Sequence, residues 1–288
     1  MKQEEALRKL PEFDGRRVVV TGAASGIGRA IALAFARARA QLFVCDLSSE
    51  RLPGLEAELL AVGARRAHAE RVDVGVRAEM ASFCESVCRE GPPDVLVNNA
   101  GVGLAGGLLA TSLDDWQWIF NANLWGVVHG CHFFAPKMTA QGRGQIINMA
   151  SAAGYYNSEV MTAYGTTKFA VVGLSEGLRA ELAPLGVGVS VVCPGFVNTP
   201  IVANMRLRGE AYPESERANV RRFYERRGCS PERVASAVLH AVRDNPAVLP
   251  VTPEAWSLYA MKRFAPELGP RLLASLRRFA ERRRSSRP

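Results

Sequence analysis

The sequence predicts an α/β fold in which helices cover both faces of one doubly wound, seven-stranded and mostly parallel sheet. Short apolar runs alternate with helix-like segments from residue 16 to about 251. The runs are apolar at consecutive positions, which is typical of strands buried on both faces. Neither a repeat nor a low-complexity linker divides the chain. We therefore expect a single domain over residues 1–251, followed by a helical, basic C-terminal extension over residues 252–288.

Each predicted element has a local signal. Strands are predicted, in chain order, at 16–21, 41–46, 64–73, 94–98, 144–151, 187–194 and 247–251, of which 64–73 has the weakest signal. Helices are predicted at 26–39, 50–62, 76–89, 112–137, 162–183 and 231–243. Residues 200–228 interrupt this alternation because they are polar, rich in arginine and contain Gly209 and Pro213. That composition predicts a mobile flap at about 196–228.

The predicted helix at 112–137 differs from an ordinary surface helix because it is apolar on more than one side. A surface helix shows a single apolar stripe. This helix is therefore either deeply buried or covered on its outer side by another subunit, and both alternatives stay open. Its apolar residues are Trp116, Ile119, Phe120, Leu124, Trp125, Val127, Val128, Phe133 and Phe134.

Composition excludes several classes of protein. Hydrophobic residues make up 48% of the chain and charged residues 22%, which excludes disordered, collagen-like and disulfide-scaffold proteins. No apolar run approaches the ~20 residues that span a bilayer. The first ten residues are charged and lack the apolar core of a signal peptide, so we expect a cytoplasmic protein.

The cysteines and histidines indicate neither disulfides nor a metal. None of the six cysteines forms a Cys-x-x-Cys pair, and we expect reduced thiols. His129 and His132 are the one close histidine pair, and no carboxylate flanks them, so no metal site is predicted. The net charge of +8 is uneven, with −1 over residues 1–200 and +9 over residues 201–288.

The segment Thr21–Gly28, TGAASGIG, follows the first strand and opens a helix, as a Rossmann-type dinucleotide loop does. Gly22 permits the tight turn, Gly26 lets the backbone approach a pyrophosphate, and Gly28 allows close packing of helix on strand. Asp46 ends the second strand, where an acidic residue accepts hydrogen bonds from the adenosine ribose. Its charge repels a 2′-phosphate, so NAD is favoured over NADP.

Further polar residues follow the third, fourth and fifth strands. Asp73 and Val74 end the third strand, and Asn98-Asn99-Ala100-Gly101 ends the fourth. Ligands of open α/β sheets bind beyond these carboxyl ends.

Three residues form a candidate catalytic group. Ser151 ends the fifth strand, and Tyr164 and Lys168 share a helix face at spacing i, i+4. A lysine ammonium stabilises a phenolate, which makes such a tyrosine a workable general acid and base. Ser151 is placed to donate a hydrogen bond to a substrate oxygen beside Tyr164.

The order of these motifs resembles the short-chain dehydrogenase/reductase family over roughly residues 14–251. The resemblance implies a nicotinamide-dependent oxidoreductase that transfers a hydride directly, without a metal. It rests on TGAASGIG (21–28), NNAG (98–101), Asn123 within NANLWG, Ser151, YGTTK (164–168) and PGFVNT (194–199).

The resemblance also implies roles for individual residues. Tyr164 exchanges a proton with the substrate oxygen, Lys168 lowers the pKa of Tyr164 and binds the nicotinamide ribose, Ser151 polarises the substrate, and Asn123 holds a water in a proton relay. Pro194, Gly195, Val197 and Thr199 position the nicotinamide carboxamide. The implied cofactor-binding set is Gly22, Ser25, Gly26, Ile27, Gly28, Asp46, Asp73, Val74, Asn99, Tyr164, Lys168, Val197 and Thr199.

The family places its substrate pocket between residues 102–110, residues 152–161 and the flap. Here these segments are largely apolar, which favours a hydrophobic secondary alcohol or ketone (a steroid, a lipid-derived or an aromatic compound) over a sugar. Alternatively, several of these side chains only pack the flap. The candidates are Val102, Leu104, Leu108, Leu109, Tyr155, Tyr156, Val160, Met161, Phe196, Ile201, Val202 and Met205.

A second function stays open beside the enzyme: a noncatalytic protein that binds a nicotinamide cofactor for regulation or assembly. The complete set of Asn123, Ser151, Tyr164 and Lys168 favours the enzyme. The family implies a homodimer or homotetramer.

The C-terminal extension contains a basic amphipathic stretch. We favour packing of this helix on its own subunit or a second copy over contact of residues 267–287 with a membrane surface or an acidic partner. No recognition motif for nucleic acid is present. The apolar positions are Leu268, Leu272, Leu276 and Phe279, among seven arginines.

Overall fold

The structure, a computed structural model, describes residues 13–209 and 214–267. These residues contain nine strands: β1 (Arg17–Thr21), β2 (Gln41–Asp46), β3 (Arg66–Arg71), β4 (Val95–Asn98), β5 (Leu104–Ala105), β6 (Gly144–Met149), β7 (Val187–Cys193), β8 (Arg206–Leu207) and β9 (Val248–Pro250).

Helices alternate with the strands along the described chain. They are α1 (Gly26–Arg37), α2 (Leu52–Ala61), α3 (Arg77–Cys88), α4 (Leu113–Phe120), α5 (Gly126–Ala140), α6 (Thr162–Leu182), α7 (Pro200–Asn204), α8 (Glu214–Arg227), α9 (Pro231–Asp244) and α10 (Pro253–Phe264).

Seven of the strands form one sheet in the order β3-β2-β1-β4-β6-β7-β9. All its strand pairs are parallel; Val19 of β1, for example, pairs with Phe43 of β2 and Leu96 of β4. The order reverses between β1 and β4, which is the switch point at which such sheets bind ligands. The predicted seven-stranded, doubly wound fold is confirmed.

The central strands of the sheet are buried on both faces, because successive residues of each strand contact helices on opposite sides of the sheet. Val18 and Val20 face one apolar cluster, which includes residues of α1, α2 and α9. Val19 faces a second cluster, which includes residues of α3, α5 and α6. Two-sided burial explains why the central strands are apolar at consecutive positions.

The helix predicted at 112–137 runs without a break over residues 113–140 and contains a π-helical turn, and it is not buried all round. A π-helical turn, Asn121–Trp125, separates α4 from α5. Trp125 is 48% exposed, and Leu124 and Phe133 are only partly buried. Of the two alternatives, deep burial within one subunit is therefore wrong. The prediction of one long helix is confirmed, but the π-helical turn inside it was not predicted, because apolar periodicity does not reveal a local change in hydrogen bonding.

The predicted flap contains regular structure. It includes α7, β8 and α8, and Arg206 of β8 pairs in parallel with Leu104 of β5. Helix α10 starts directly after the predicted domain end at residue 251, with Ala255 fully buried. The apolar stripe predicted at 268–279 lies outside the described residues. Within the described chain no helix combines the length and apolar character needed to cross a membrane.

Candidate active site

A cleft of about 280 Å³ lies at the carboxyl ends of β1, β2, β4 and β6. Twelve of the thirteen residues predicted to bind a cofactor line it, and Val197 lines an adjoining cavity instead. The twelve are Gly22, Ser25, Gly26, Ile27, Gly28, Asp46, Asp73, Val74, Asn99, Tyr164, Lys168 and Thr199.

The glycine loop has a shape that side chains would prevent. Gly22 and Gly26 have φ angles of 67° and 53°, in the left-handed region. A Cβ at Gly28 would lie 2.0 Å from the carbonyl oxygen of Gly22. The loop and the start of α1 therefore present backbone N–H groups to the cleft, an arrangement suited to an anionic phosphate.

Asn99 braces this loop. Its Nδ2 donates to the carbonyl oxygens of Thr21, at 3.0 Å, and Gly22, at 3.1 Å. The Thr21 hydroxyl in turn accepts from the backbone amides of Asn99 and Ala100. The side-chain amide of Asn99 is thus committed to holding the loop against the end of β4.

Two aspartates lie on the cleft wall at the ends of β2 and β3. Asp46 Oδ2 accepts from the Ala24 amide at 2.9 Å, and its Oδ1 accepts from the Ser48 amide at 3.0 Å. Asp73 Oδ1 accepts from the Gly75 amide at 2.9 Å. Because a carboxylate oxygen accepts more than one hydrogen bond, both aspartates remain able to bind a ligand hydroxyl.

Tyr164 lies where the cleft meets the adjoining cavity, since its side chain lines both. Lys168 lines only the cleft, and Ser151 lines only the adjoining cavity. The Ser151 hydroxyl accepts from the Ala153 amide at 3.2 Å and donates to the carbonyl oxygen of Pro194 at 3.5 Å. Lys168 Nζ donates to the carbonyl oxygen of Met149 at 3.1 Å and lies 5.7 Å from the centre of the Tyr164 ring.

Burial governs the protonation of these groups in the protein alone. It raises the pKa of Tyr164 above its ordinary value, and the hydrogen bond from Ser151 opposes that rise. Burial also lowers the pKa of Lys168 to about 8. The expected lowering of the Tyr164 pKa by Lys168 is not seen here, because desolvation disfavours both charged forms.

Asn123 is fully buried in the π-helical turn and lines neither cavity. Its Oδ1 accepts from the Val102 amide at 2.7 Å, and its Nδ2 donates to the Val102 carbonyl at 3.0 Å and to Thr167 Oγ1 at 3.3 Å. Gly101 lies beside both Asn123 and Lys168. The side chain of Asn123 thus fixes the segment that follows β4.

The adjoining cavity has a volume of about 530 Å³. Six of the twelve predicted lining residues are present: Tyr156, Met161, Phe196, Ile201, Val202 and Met205.

The other six predicted residues lie elsewhere. Leu108 and Leu109 are exposed, Leu104 and Tyr155 are buried in the core, Val102 lines the cleft, and Val160 lines neither cavity.

Sequence reasoning missed the part of this cavity wall that comes from α8 and α10. Tyr224, Glu254, Ser257 and Leu258 line the cavity. No local motif marks them, because they approach the site only through tertiary packing.

Sequence reasoning also missed a charged contact behind the wall. The Asp115 carboxylate, 5% exposed, accepts from Arg206 Nη1 at 3.0 Å, and from Arg208 Nε at 2.6 Å and Nη2 at 2.9 Å. The Arg206 guanidinium also lies 3.7 Å from the centre of the Trp118 ring. Hydrogen bonds from Arg208 hold the pKa of Asp115 well below its usual range. This contact ties β8, next to the cavity wall, to α4.

Comparisons with known proteins agree with this geometry. The profile described as short chain dehydrogenase matches residues 16–209. C alpha-dehydrogenase of Sphingobium sp. is 34% identical over 256 residues, which cover 85% of this chain and 83% of that protein. A short chain dehydrogenase/reductase from Burkholderia phymatum, solved in complex with NAD, matches with a TM-score of 0.80 and 33% identity over 89% of this chain and 94% of its own. The chain belongs to the short-chain dehydrogenase family.

A further relative is longer than this chain. Probable oxidoreductase EphD of Mycobacterium tuberculosis is 37% identical over 261 residues, which cover 88% of this chain and 44% of that protein. The chain thus spans less than half the length of this relative.

Proposed function

We propose that the protein is an oxidoreductase that transfers a hydride between NAD(H) and a hydrophobic secondary alcohol or ketone, with Tyr164 as general acid and base. One observation supports this most directly. Tyr164 lies at the junction of two cavities, with Lys168 on the cleft side and Ser151 on the other side. A group that exchanges a proton with the substrate while the cofactor reacts belongs at such a junction.

The cleft fits a nicotinamide dinucleotide. Its glycine loop offers backbone N–H groups to a pyrophosphate, and Asp46 offers carboxylate oxygens to ribose hydroxyls. The negative charge of Asp46 favours NAD over NADP. When bound, the nicotinamide supplies the hydride acceptor or donor, and the relative from Burkholderia phymatum was solved with NAD.

The protein's own groups position the substrate and move its proton. In alcohol oxidation, Ser151 donates a hydrogen bond to the substrate oxygen while Tyr164 accepts the hydroxyl proton; in ketone reduction Tyr164 donates it. Lys168, whose Nζ lies 5.7 Å from the centre of the Tyr164 ring, would hold the nicotinamide ribose and, when charged, would support the Tyr164 phenolate. Asn123 holds the segment beside Lys168, where the family's proton relay runs. Orientation of the two reactants accounts for much of the rate enhancement.

The adjoining cavity favours an apolar substrate. Besides Tyr164, three aromatic side chains, Tyr156, Phe196 and Tyr224, line it together with methionine and branched aliphatic side chains. These side chains stabilise an aromatic or aliphatic body by apolar contact.

We also propose that the protein forms a homodimer or homotetramer. Trp125 and the partly buried Leu124 and Phe133 leave an apolar outer side around α5 that a second copy would cover. Light scattering after size-exclusion chromatography tests this, and a Trp125→Glu variant should shift the protein toward the monomer.

The test of the activity is nicotinamide absorbance with NAD or NADP and a panel of steroid, aromatic and aliphatic secondary alcohols. Tyr164→Phe should abolish turnover while NAD binding survives, because only the hydroxyl is lost. Tyr259→Phe removes a hydroxyl outside both cavities and should retain turnover. Wild-type turnover in Tyr164→Phe would refute the mechanism. Intact NAD binding without turnover on any alcohol would favour a regulatory, noncatalytic protein.

A further inference from the structure

The described wall of the adjoining cavity carries one negatively charged side chain and no positively charged one. Of the described residues that line it, Glu254 is the one whose side chain is ionised at neutral pH. The others are apolar, aromatic, hydroxyl or amide side chains and glycines, and none of these described lining residues is a lysine or an arginine. Among the described lining residues, a single fixed negative charge therefore faces an otherwise uncharged cavity.

The Glu254 carboxylate is held in place by its neighbours. Its Oε1 accepts from the Phe196 amide at 3.0 Å. A Cβ at Gly195 would lie 2.3 Å from the same oxygen, so the glycine leaves the space that the carboxylate occupies. Thr252 caps α10 through the Ala255 amide, and its Oγ1 lies at the same distance, 2.3 Å, from that Cβ position. The position of the charge is thus set by the fold.

The carboxylate is also kept ionised. Burial acts to raise the pKa of Glu254, but hydrogen bonds from the Thr252 side chain and the Phe196 amide, with the nearby positive charge of Arg233, outweigh it and lower the pKa. Arg233 does not line the cavity. A ligand therefore meets the carboxylate without meeting its counter-charge.

This arrangement discriminates between ligands by charge. A ligand carboxylate near Glu254 would lose its hydration without gaining a cationic partner, which is costly. A ligand hydroxyl or ammonium would instead donate a charge-assisted hydrogen bond to the free lone pairs of the carboxylate.

We propose that Glu254 forms a polar subsite in the substrate cavity. It selects substrates that have a hydrogen-bond donor, a hydroxyl or a protonated amine, at a position remote from the reacting carbinol, and it rejects substrates with a carboxylate there. The proposal rests on the proposed function, because it takes the Tyr164 end of the cavity as the reacting end.

The test uses aryl secondary alcohols with one common ring and a side arm of one to four methylene groups. The arm ends in an ammonium, a hydroxyl, a methyl or a carboxylate group. Turnover with NAD is followed by nicotinamide absorbance, and binding to the NAD-loaded Tyr164→Phe protein by titration calorimetry. At the preferred arm length, we expect the ammonium and hydroxyl compounds to exceed the carboxylate compound in affinity and in kcat/KM by at least about tenfold.

Variants isolate the contribution of the charge. Glu254→Gln keeps an oxygen for the Phe196 amide and should reduce the ammonium-to-carboxylate ratio by about tenfold. Glu232→Gln removes one exposed negative charge outside the cavity and should leave the ratio unchanged. Glu254→Asp withdraws the carboxylate by one methylene and should move the preferred arm length up by one, a result that does not depend on the folding of Glu254→Gln.

The outcomes separate the subsite from the enzyme. If the ammonium and hydroxyl compounds bind more tightly than the carboxylate compound but none is turned over, the subsite is supported and the oxidoreductase proposal is not. The subsite is refuted if, at every arm length, the ammonium, hydroxyl and carboxylate compounds bind and turn over equally well. It is also refuted if Glu254→Gln and Glu254→Asp leave the ammonium-to-carboxylate ratio unaltered. The absence of both binding and turnover across the whole series also counts against it.

Discussion

Replacing Asp115 by asparagine tests how the substrate-side wall is held in place. Asp115 is 5% exposed and accepts hydrogen bonds from both Arg206 and Arg208. Arg206 is the first residue of β8 and Arg208 directly follows this strand, while Met205, directly before it, lines the cavity. The substitution preserves shape and removes the charge, so it weakens the link between this wall and α4 without creating a void.

The magnitude follows from burial. Breaking a fully buried ion pair costs about 3–5 kcal/mol. Both arginines are 40% exposed, so water compensates part of the loss. We expect a loss of about 2 kcal/mol, which in a domain of this size lowers the Tm by about 4–8 °C. Water should also reach the Arg206–Arg208 segment more often.

Thermal unfolding and limited trypsin digestion check this prediction. Cleavage after Arg206 and Arg208 should be faster in Asp115→Asn, and KM for the alcohol should rise more than kcat falls. Glu58→Gln is the control, because it breaks an exposed pair with Arg29 that contributes at most about 1 kcal/mol. An Asp115→Asn protein with the Tm and trypsin pattern of the wild type would refute this account of the wall.

Three further predictions concern the cleft. The pKa of Lys168 is 10.5 in the unfolded chain, and burial lowers it to about 8 in the folded protein. The buried charge of Lys168 therefore destabilises the fold fully below pH 8, and this destabilisation is relieved as the pH rises to 10.5. Lys168→Met should therefore abolish turnover yet raise the Tm of the cofactor-free protein at pH 7 and flatten its rise above pH 8; a lower Tm at pH 7 would contradict this. Ser151→Ala removes a hydrogen bond that lowers the pKa of Tyr164, so the pH profile of residual alcohol oxidation should move to higher pH, and an unmoved profile would exclude that contribution. Asp46→Asn should weaken NAD binding and reduce the ratio of NAD affinity to NADP affinity by about tenfold in titrations. If the unmodified protein binds NADP more tightly than NAD, the argument that Asp46 repels a 2′-phosphate is wrong.

The strands of the main sheet could be predicted within a few residues, because two-sided burial leaves long apolar runs in the sequence. The glycine loop was equally accessible to prediction. Its left-handed turns at Gly22 and Gly26, and the contact at Gly28, accept no other residue without strain, so the motif itself specifies the shape. Twelve of the thirteen predicted cofactor positions, including those of this loop, line one cleft.

Prediction failed where structure depends on partners distant along the chain. Strands β5 and β8 are two residues each and exist only through their pairing with each other. The π-helical turn at 121–125 places Asn123 against Val102. The sequence pattern around Asn123 shows only a continuous apolar surface.

The sequence by itself therefore determines the sheet and the glycine loop, because each depends on side-chain periodicity or on residues a few positions apart. The proposed catalytic residues follow instead from the order of motifs that resembles the family. Only the tertiary structure decides the wall of the substrate cavity. There Asp115 meets an arginine 93 positions later, and Glu254 meets an amide 58 positions earlier. Such contacts form when separate elements pack together, and no local pattern of residues encodes that distance.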